Sequence, residues 1–125
     1  MKIEKFEDVR AWQLGRELTR AVYAATSVAP FSKDFGLKDQ IQRAAGSVMH
    51  NVAEGFDAGS NPEFVRFLRF AQRSATEVMS QLYVAVDQGY LTKEQYAQLR
   101  KLAAEAHATC GGFIKYLQPK PRKTL

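Results

Sequence analysis

Residues 60–89 read SNPEFVRFLRFAQRSATEVMSQLYVAVDQG, and this stretch decides the fold class. It begins with a helix start signal, because Ser60 or Asn61 suits the N-cap and Pro62 suits the first turn. Glu63 stands where the acid of a capping box is expected. Apolar residues then recur at helical spacing until Gly89. The pattern predicts one long amphipathic helix of roughly 40 Å, at ~1.5 Å per residue.

The rest of the chain predicts three more amphipathic helices and no strand. They cover about residues 6–27, 37–54 and 92–117, and Gly55 has the conformational freedom to end the second. Gly111 and its glycine neighbour interrupt the fourth and predict a local bend. Four such helices with mostly short connections predict an all-α, antiparallel up-and-down four-helix bundle over residues 1–117.

The composition is that of one ordinary domain. The 125 residues suffice to bury a single core. No apolar run approaches the ~18–20 residues of a membrane helix, so we expect no contact with a membrane. The lone Cys110 excludes an intrachain disulfide, which favours a cytoplasmic location.

Positive charge is concentrated at the C-terminus. The chain has 18 Lys and Arg against 13 Asp and Glu, a formal net charge of +5. Four of these cations follow residue 114 with no acid among them: Lys115, Lys120, Arg122 and Lys123. The rest of the chain is close to neutral. We predict that residues 118–125, which contain two prolines, form a basic, disordered tail.

Arg66, Arg69 and Arg73 form an arginine ridge on the outward side of the third predicted helix. Such a row is often only a solvated face. Together with the basic tail, and repeated by oligomerisation, it predicts a surface for nucleic-acid phosphates. No recognition-helix pattern is present, so binding to RNA or DNA should be weak and independent of sequence.

The first predicted helix has a second face besides its core stripe. Trp12, Arg16 and Tyr23 recur on the side away from the core, with Val9 nearby. They either flank the core as amphipathic edge residues or form a subunit interface. We favour the interface, because the core stripe is complete without them.

A polar line follows the second predicted helix, and we expect it to face the third. Arg43 is expected to pair with Glu77, and Ser47 and Asn51 to complete a hydrogen-bond network with Glu54 beside them. These residues most simply fix the helix register. A functional pocket is the alternative interpretation.

The motif content argues against an enzyme. The chain contains no Walker loop, GxGxxG, HExxH or CxxC motif. His50 and Glu54 share a helix face, and His107 precedes Cys110 by three residues, but the paired Glu-x-x-His repeats of di-iron bundles are missing. We therefore expect no metal and no cofactor.

Residues 40–91 resemble a known family in specific motifs. IQRAAGSV at 41–48, followed by NVAEGF at 51–56 and EFVRFLRFA at 63–71, is similar to the bacterial four-helix-bundle proteins of 23S rRNA intervening sequences. The resemblance extends over about residues 6–117. Met49-His50 departs from it, because the family typically has proline and serine there.

The resemblance implies a ring-like homo-oligomer, commonly a homopentamer, and kinship with accessory proteins of diversity-generating retroelements, which associate with a reverse transcriptase and nucleic acid. We therefore expect a non-enzymatic homo-oligomeric scaffold with weak nucleic-acid binding. The alternative is a module that docks a partner protein without nucleic acid. Family members mostly have no assigned activity.

Overall fold

The computed structural model describes residues 2–118 and places four α-helices in them, with no strand. The helices are α1 (Arg10–Thr26), α2 (Phe35–Asp57), α3 (Asn61–Asp87) and α4 (Lys93–Leu117). Two 3-10 turns, Phe6–Asp8 and Phe31–Lys33, precede α1 and α2. The all-α prediction is confirmed. Pro119 and the residues after it, including the cations Lys120, Arg122 and Lys123, lie outside the described part of the chain.

Contacts between the helices give an antiparallel, up-and-down order. Each helix packs against its neighbours in sequence, and α1 packs against α4. For α2 and α3, Ser47 contacts Ser74, while Gly55, farther along α2, contacts Phe64, which is earlier in α3. A later position in α2 thus contacts an earlier position in α3, so these two helices are antiparallel.

One core fills the bundle. Its largest fully buried side chains include Leu18 of α1, Ile41 of α2, and Leu68 and Leu82 of α3. Small residues bring α1 and α2 close together, since a Cβ on Gly15 would lie 3.0 Å from the Cβ of Met49. Burial of the apolar stripes, at ~25 cal/mol per Å² of apolar surface, is what holds the four helices together.

The start of α3 follows the predicted capping chemistry only in part, because Ser60 is the N-cap but Glu63 completes no capping box and pairs with Arg66. The Ser60 side chain accepts a hydrogen bond from the backbone N–H of Glu63, and Thr92 and Gln95 form a complete capping box. In α2 the cap is Asp34, which accepts from the backbone N–H of Leu37, so the helix starts two residues before the predicted position.

One prediction about the glycines is wrong. α2 continues through Gly55 to Asp57, because this glycine accommodates a neighbouring helix and does not end its own. The left-handed glycine of that turn is Gly59, with φ of +85°. α4 continues as one helix through Gly111 and Gly112. Gly89, with φ of +76°, does follow the end of α3 as predicted.

Candidate functional site

The arginine ridge lies on the exposed side of α3. Two of its members enclose an aromatic ring, because the guanidinium carbon of Arg66 is 5.1 Å, and that of Arg73 5.7 Å, from the ring centroid of Phe70. Arg66 also pairs with Glu63 at 3.3 Å. Cation–π contacts at exposed sites contribute about 0.5–1 kcal/mol each, which favours conformations with both guanidinium groups beside the ring.

Arg69, the remaining arginine of the ridge, lines a groove between α3 and α4. This α3–α4 groove has a volume of about 520 Å³ and contains Arg69, Gln72, Gly111, Ile114, Lys115 and Gln118. A smaller adjoining cavity of about 340 Å³ connects Arg69 with Arg73 and His107. The structure thus brings Lys115 into one groove with Arg69, although 46 positions separate them in the sequence.

Gln72 joins the two walls of the α3–α4 groove. Its Nε2 donates a hydrogen bond to the main-chain carbonyl of His107 at 3.2 Å. A Cβ on Gly111 would lie 3.1 Å from the same nitrogen, so a glycine in α4 leaves room for this amide. The groove is therefore lined by a guanidinium from Arg69, an ammonium from Lys115 and the side-chain amides of Gln72 and Gln118. Such a donor set suits phosphate oxygens.

The sequence did not single out Phe70 or Gln72. The spacing of Phe70 from Arg66 and Arg73, four and three residues, could have identified it, because side chains at these separations are neighbours on a helix. The role of Gln72 depends on the register of α3 against α4, which no local pattern encodes.

The predicted interface residues of the α1 region lie in different environments. Trp12 is half-buried, packs against the core and contacts the ring of Phe6 at 5.2 Å. The guanidinium of Arg16 lies over the Trp12 ring at 5.8 Å. Tyr23 is 52% exposed. The assignment of Val9 is wrong, because this residue is fully buried in the core of the bundle, where it precedes the first turn of α1.

The predicted polar network exists between α2 and α3, but with fewer members. Asn51 Nδ2 donates to the Ser47 carbonyl at 2.8 Å and to the Ser47 Oγ at 2.9 Å. Ser74 Oγ donates to the same Ser47 Oγ at 2.9 Å, across the helix interface. The predicted pair of Arg43 with Glu77 is wrong. Arg43 instead binds Asp39 of its own helix at 3.0 Å.

The exposed faces of α1 and α2 meet in a second groove of about 500 Å³. Tyr23 of α1 lines this α1–α2 groove together with Arg43, Ser47, Asn51 and Glu54 of α2. Gly46 leaves space in its floor, since a Cβ there would meet only the His50 ring, at 3.5 Å. Tyr23, one of the predicted interface residues, therefore shares one surface with the polar line, although the two were predicted separately.

Metal-binding and nucleophilic groups are not assembled in the described chain. Among residues 2–118, no three His, Cys, Asp or Glu side chains cluster closely enough to hold a metal ion. Burial raises the pKa of the Cys110 thiol to about 12, so the reactive thiolate is scarce near neutral pH. None of the four helices is long and apolar enough to cross a membrane.

The fold and its surfaces define a four-helix-bundle protein with a cationic groove between its last two helices. The chain belongs to the family of 23S rRNA-intervening sequence proteins, whose model matches residues 7–112. This confirms the resemblance found in the sequence.

A crystal structure from Bacteroides thetaiotaomicron is similar to most of this chain. It is described as a protein of unknown function from the S23 ribosomal protein family. The two chains are 25% identical and superpose with a TM-score of 0.77, over 84% of this chain and 98% of the other. No curated protein matches the sequence.

Proposed function

We propose that this protein is a non-enzymatic, homo-oligomeric scaffold that binds RNA or DNA weakly and without sequence preference. The observation that carries the proposal is the shared position of Arg69 and Lys115 in the α3–α4 groove. Arg66 and Arg73 extend this cationic surface along α3 on either side of Phe70. A nucleic-acid strand that follows the groove meets several cations in succession.

The chemistry of the groove explains the lack of sequence preference. Lys and Arg contacts to phosphate contribute affinity but carry no direct sequence information. Each phosphate that is neutralised releases counterions, so the affinity falls as salt rises. Lys120, Arg122 and Lys123 of the tail add further cations in this proposal.

Oligomerisation is the second part of the proposal. The half-exposed ring of Tyr23, beside the polar side chains of the α1–α2 groove, offers the amphipathic anchor that protein interfaces favour. Joined subunits would repeat the α3–α4 groove, and linked weak sites gain avidity without new contacts. A ring, and the pentamer that the family resemblance implies, is one such assembly.

The test is the affinity for a fluorescent single-stranded RNA or DNA of mixed sequence, measured by anisotropy over a range of salt concentrations. We expect the logarithm of the binding constant to fall linearly with the logarithm of salt, by about 0.7 per phosphate contacted on a single strand. Two oligonucleotides of unrelated sequence should bind equally. No binding at low salt, or an affinity independent of salt, would refute the proposal.

A module that docks a partner protein is the second candidate function. It is favoured by the apolar side chains exposed around the α1–α2 connection, where Phe35 is 73% and Val28 63% exposed. Neutralising the tail by Lys120→Gln, Arg122→Gln and Lys123→Gln separates the two candidates. Nucleic-acid binding should weaken in this variant, whereas docking through Phe35 and Val28 should not.

A further inference from the structure

A third groove lies at the end of the bundle where the first 3-10 turn meets the C-terminal end of α2. It has a volume of about 510 Å³. Its apolar lining is formed by Phe6, Ala53 and Phe56. Four acidic residues, Glu4, Glu7, Glu54 and Asp57, line it together with one basic residue, Lys5. We call it the acidic groove.

The lining of the acidic groove has an excess of acidic residues. Four carboxylates against one ammonium give a formal charge of −3. In the part of the chain that the structure describes, none of these four carboxylates forms a salt bridge. A cationic ligand with apolar segments is the chemical complement of such a surface.

The C-terminal end of α4 lies at the same end of the bundle. The ring of Phe56 in the acidic groove contacts Phe64 of α3 with 6.3 Å between centroids, and Phe64 contacts Phe113 of α4 at 5.1 Å. α4 ends four residues after Phe113, at Leu117. The described part of the chain therefore ends, at Gln118, at the same end of the bundle as the acidic groove.

We propose that residues 119–125 of the same chain dock in the acidic groove. The sequence of this segment, PKPRKTL, has three cations, no acidic side chain and two prolines. Prolines favour the extended polyproline conformation, and aromatic-lined grooves bind such segments. The four carboxylates complement Lys120, Arg122 and Lys123, while Phe6 and Phe56 contact the proline rings.

The length of the segment allows this contact within one chain. Seven residues in the polyproline conformation span roughly 22 Å at ~3.1 Å per residue. α2 and α4 are diagonal in the bundle, and each packs against α1 and α3. Neighbouring packed helices are about 8–10 Å apart, so the end of α2 lies at most two such distances from the end of α4, within reach of the segment. A tethered ligand also has a millimolar effective concentration, so a weak site suffices. The tail cations are then shared between the acidic groove and any phosphate ligand.

Paramagnetic relaxation in the full-length protein tests the docking directly. A nitroxide on Thr124→Cys retains every tail charge, and the buried thiol of Cys110, with its pKa of about 12, stays unlabelled. At low salt, the backbone amides of Glu7, Ala53 and Phe56 should lose more signal than those elsewhere on the surface. Their signal should return at high salt, because the contact is largely electrostatic.

Matched variants and a mixing experiment complete the test. Glu7→Gln with Asp57→Asn should abolish the loss of signal. Asp87→Asn with Glu94→Gln, at the opposite end of the bundle, should leave the loss of signal unchanged. Mixing isotope-labelled protein without nitroxide with unlabelled nitroxide protein should produce no loss at these amides. Loss in the mixture would assign the site to a neighbouring copy, and uniform loss over the surface would refute the docking site. Both results overturn the proposal.

Discussion

Gly55 of α2 lies directly against the ring of Phe64 in α3, so closely that a Cβ on the glycine would be 2.8 Å from Phe64 Cδ1. The same Cβ would be 2.8 Å from the Cβ of Phe67. Real Cβ atoms do not approach this closely, so the glycine sets the distance between the two helices at this end of the bundle. Phe64 in turn connects α2 to α4 through its contact with Phe113.

We therefore expect Gly55→Ala to destabilise the bundle, by about 1–3 kcal/mol from overpacking. The matched control is Gly112→Ala in α4, where nothing lies within 4 Å of the added Cβ. That change should stabilise by about 0.5–1 kcal/mol, because alanine is the better helix former. Urea unfolding of both variants measures the difference, and a stabilised Gly55→Ala protein would contradict the close packing.

The hydroxyl of Ser47 joins α2 to α3, and Ser47→Ala should therefore weaken the fold. The change leaves the half-buried Ser74 hydroxyl and Asn51 amide each without one partner, at a cost of about 1–2 kcal/mol. Thr76→Ala is the control, because that hydroxyl is exposed and binds only the Gln72 carbonyl of its own helix. Equal unfolding free energies for the two variants would mean that the network adds no stability.

Cys110 makes the stability sensitive to alkaline pH. Burial raises its pKa from 9.0 to about 12, so the unfolded chain ionises first. The contribution of the neutral thiol is complete below pH 9 and is lost as pH rises toward 12, by at most about 1.4 kcal/mol per unit. Cys110→Ala should show a shallower decline in unfolding free energy above pH 9. Parallel declines in the two proteins would contradict a raised thiol pKa.

Tyr23 is expected to anchor the interface between subunits. Tyr23→Ala should shift the assembly toward smaller species without loss of helicity, because the ring is 52% exposed in the single subunit. Tyr116→Ala, which removes a 78% exposed ring from α4, is the matched control and should leave the mass unchanged. Light scattering coupled to size exclusion reports both masses. An oligomer unaffected by Tyr23→Ala would place the interface elsewhere.

The sequence predicts much of the fold, because local rules control it. The period of the apolar residues locates α3 and α4 with little error, and the cap at Ser60 marks the start of α3. Gly55 shows the limit of such rules. A glycine near a helix end looks the same in the sequence whether it ends the helix or allows a neighbouring helix to pack closely. At Gly55 the position of Phe64 distinguishes the two roles.

The candidate surfaces are less predictable for the same reason. The spacing of the ridge arginines is visible in the sequence, but Lys115 joins Arg69 only through the register of α4 against α3. Val9 was grouped with the interface only because it lies near Trp12 in the sequence, whereas its extended backbone places the side chain in the core. Arg43 had acids available both across the interface and in its own helix. Arg43 pairs with Asp39, which lies four residues earlier on the same face of α2.

The central claim is that the α3–α4 groove binds nucleic-acid phosphates, and a paired-variant anisotropy titration tests it most directly. Arg69→Gln with Lys115→Gln removes two cations from the groove, and Arg20→Gln with Lys93→Gln removes two exposed cations elsewhere. With single-stranded RNA, the groove variant should bind more weakly, and its salt slope should fall by about 1.4, or ~0.7 per lost phosphate contact. The affinity and the salt slope of the control variant should fall much less. Equal affinities and equal slopes for the two variants would contradict the claim.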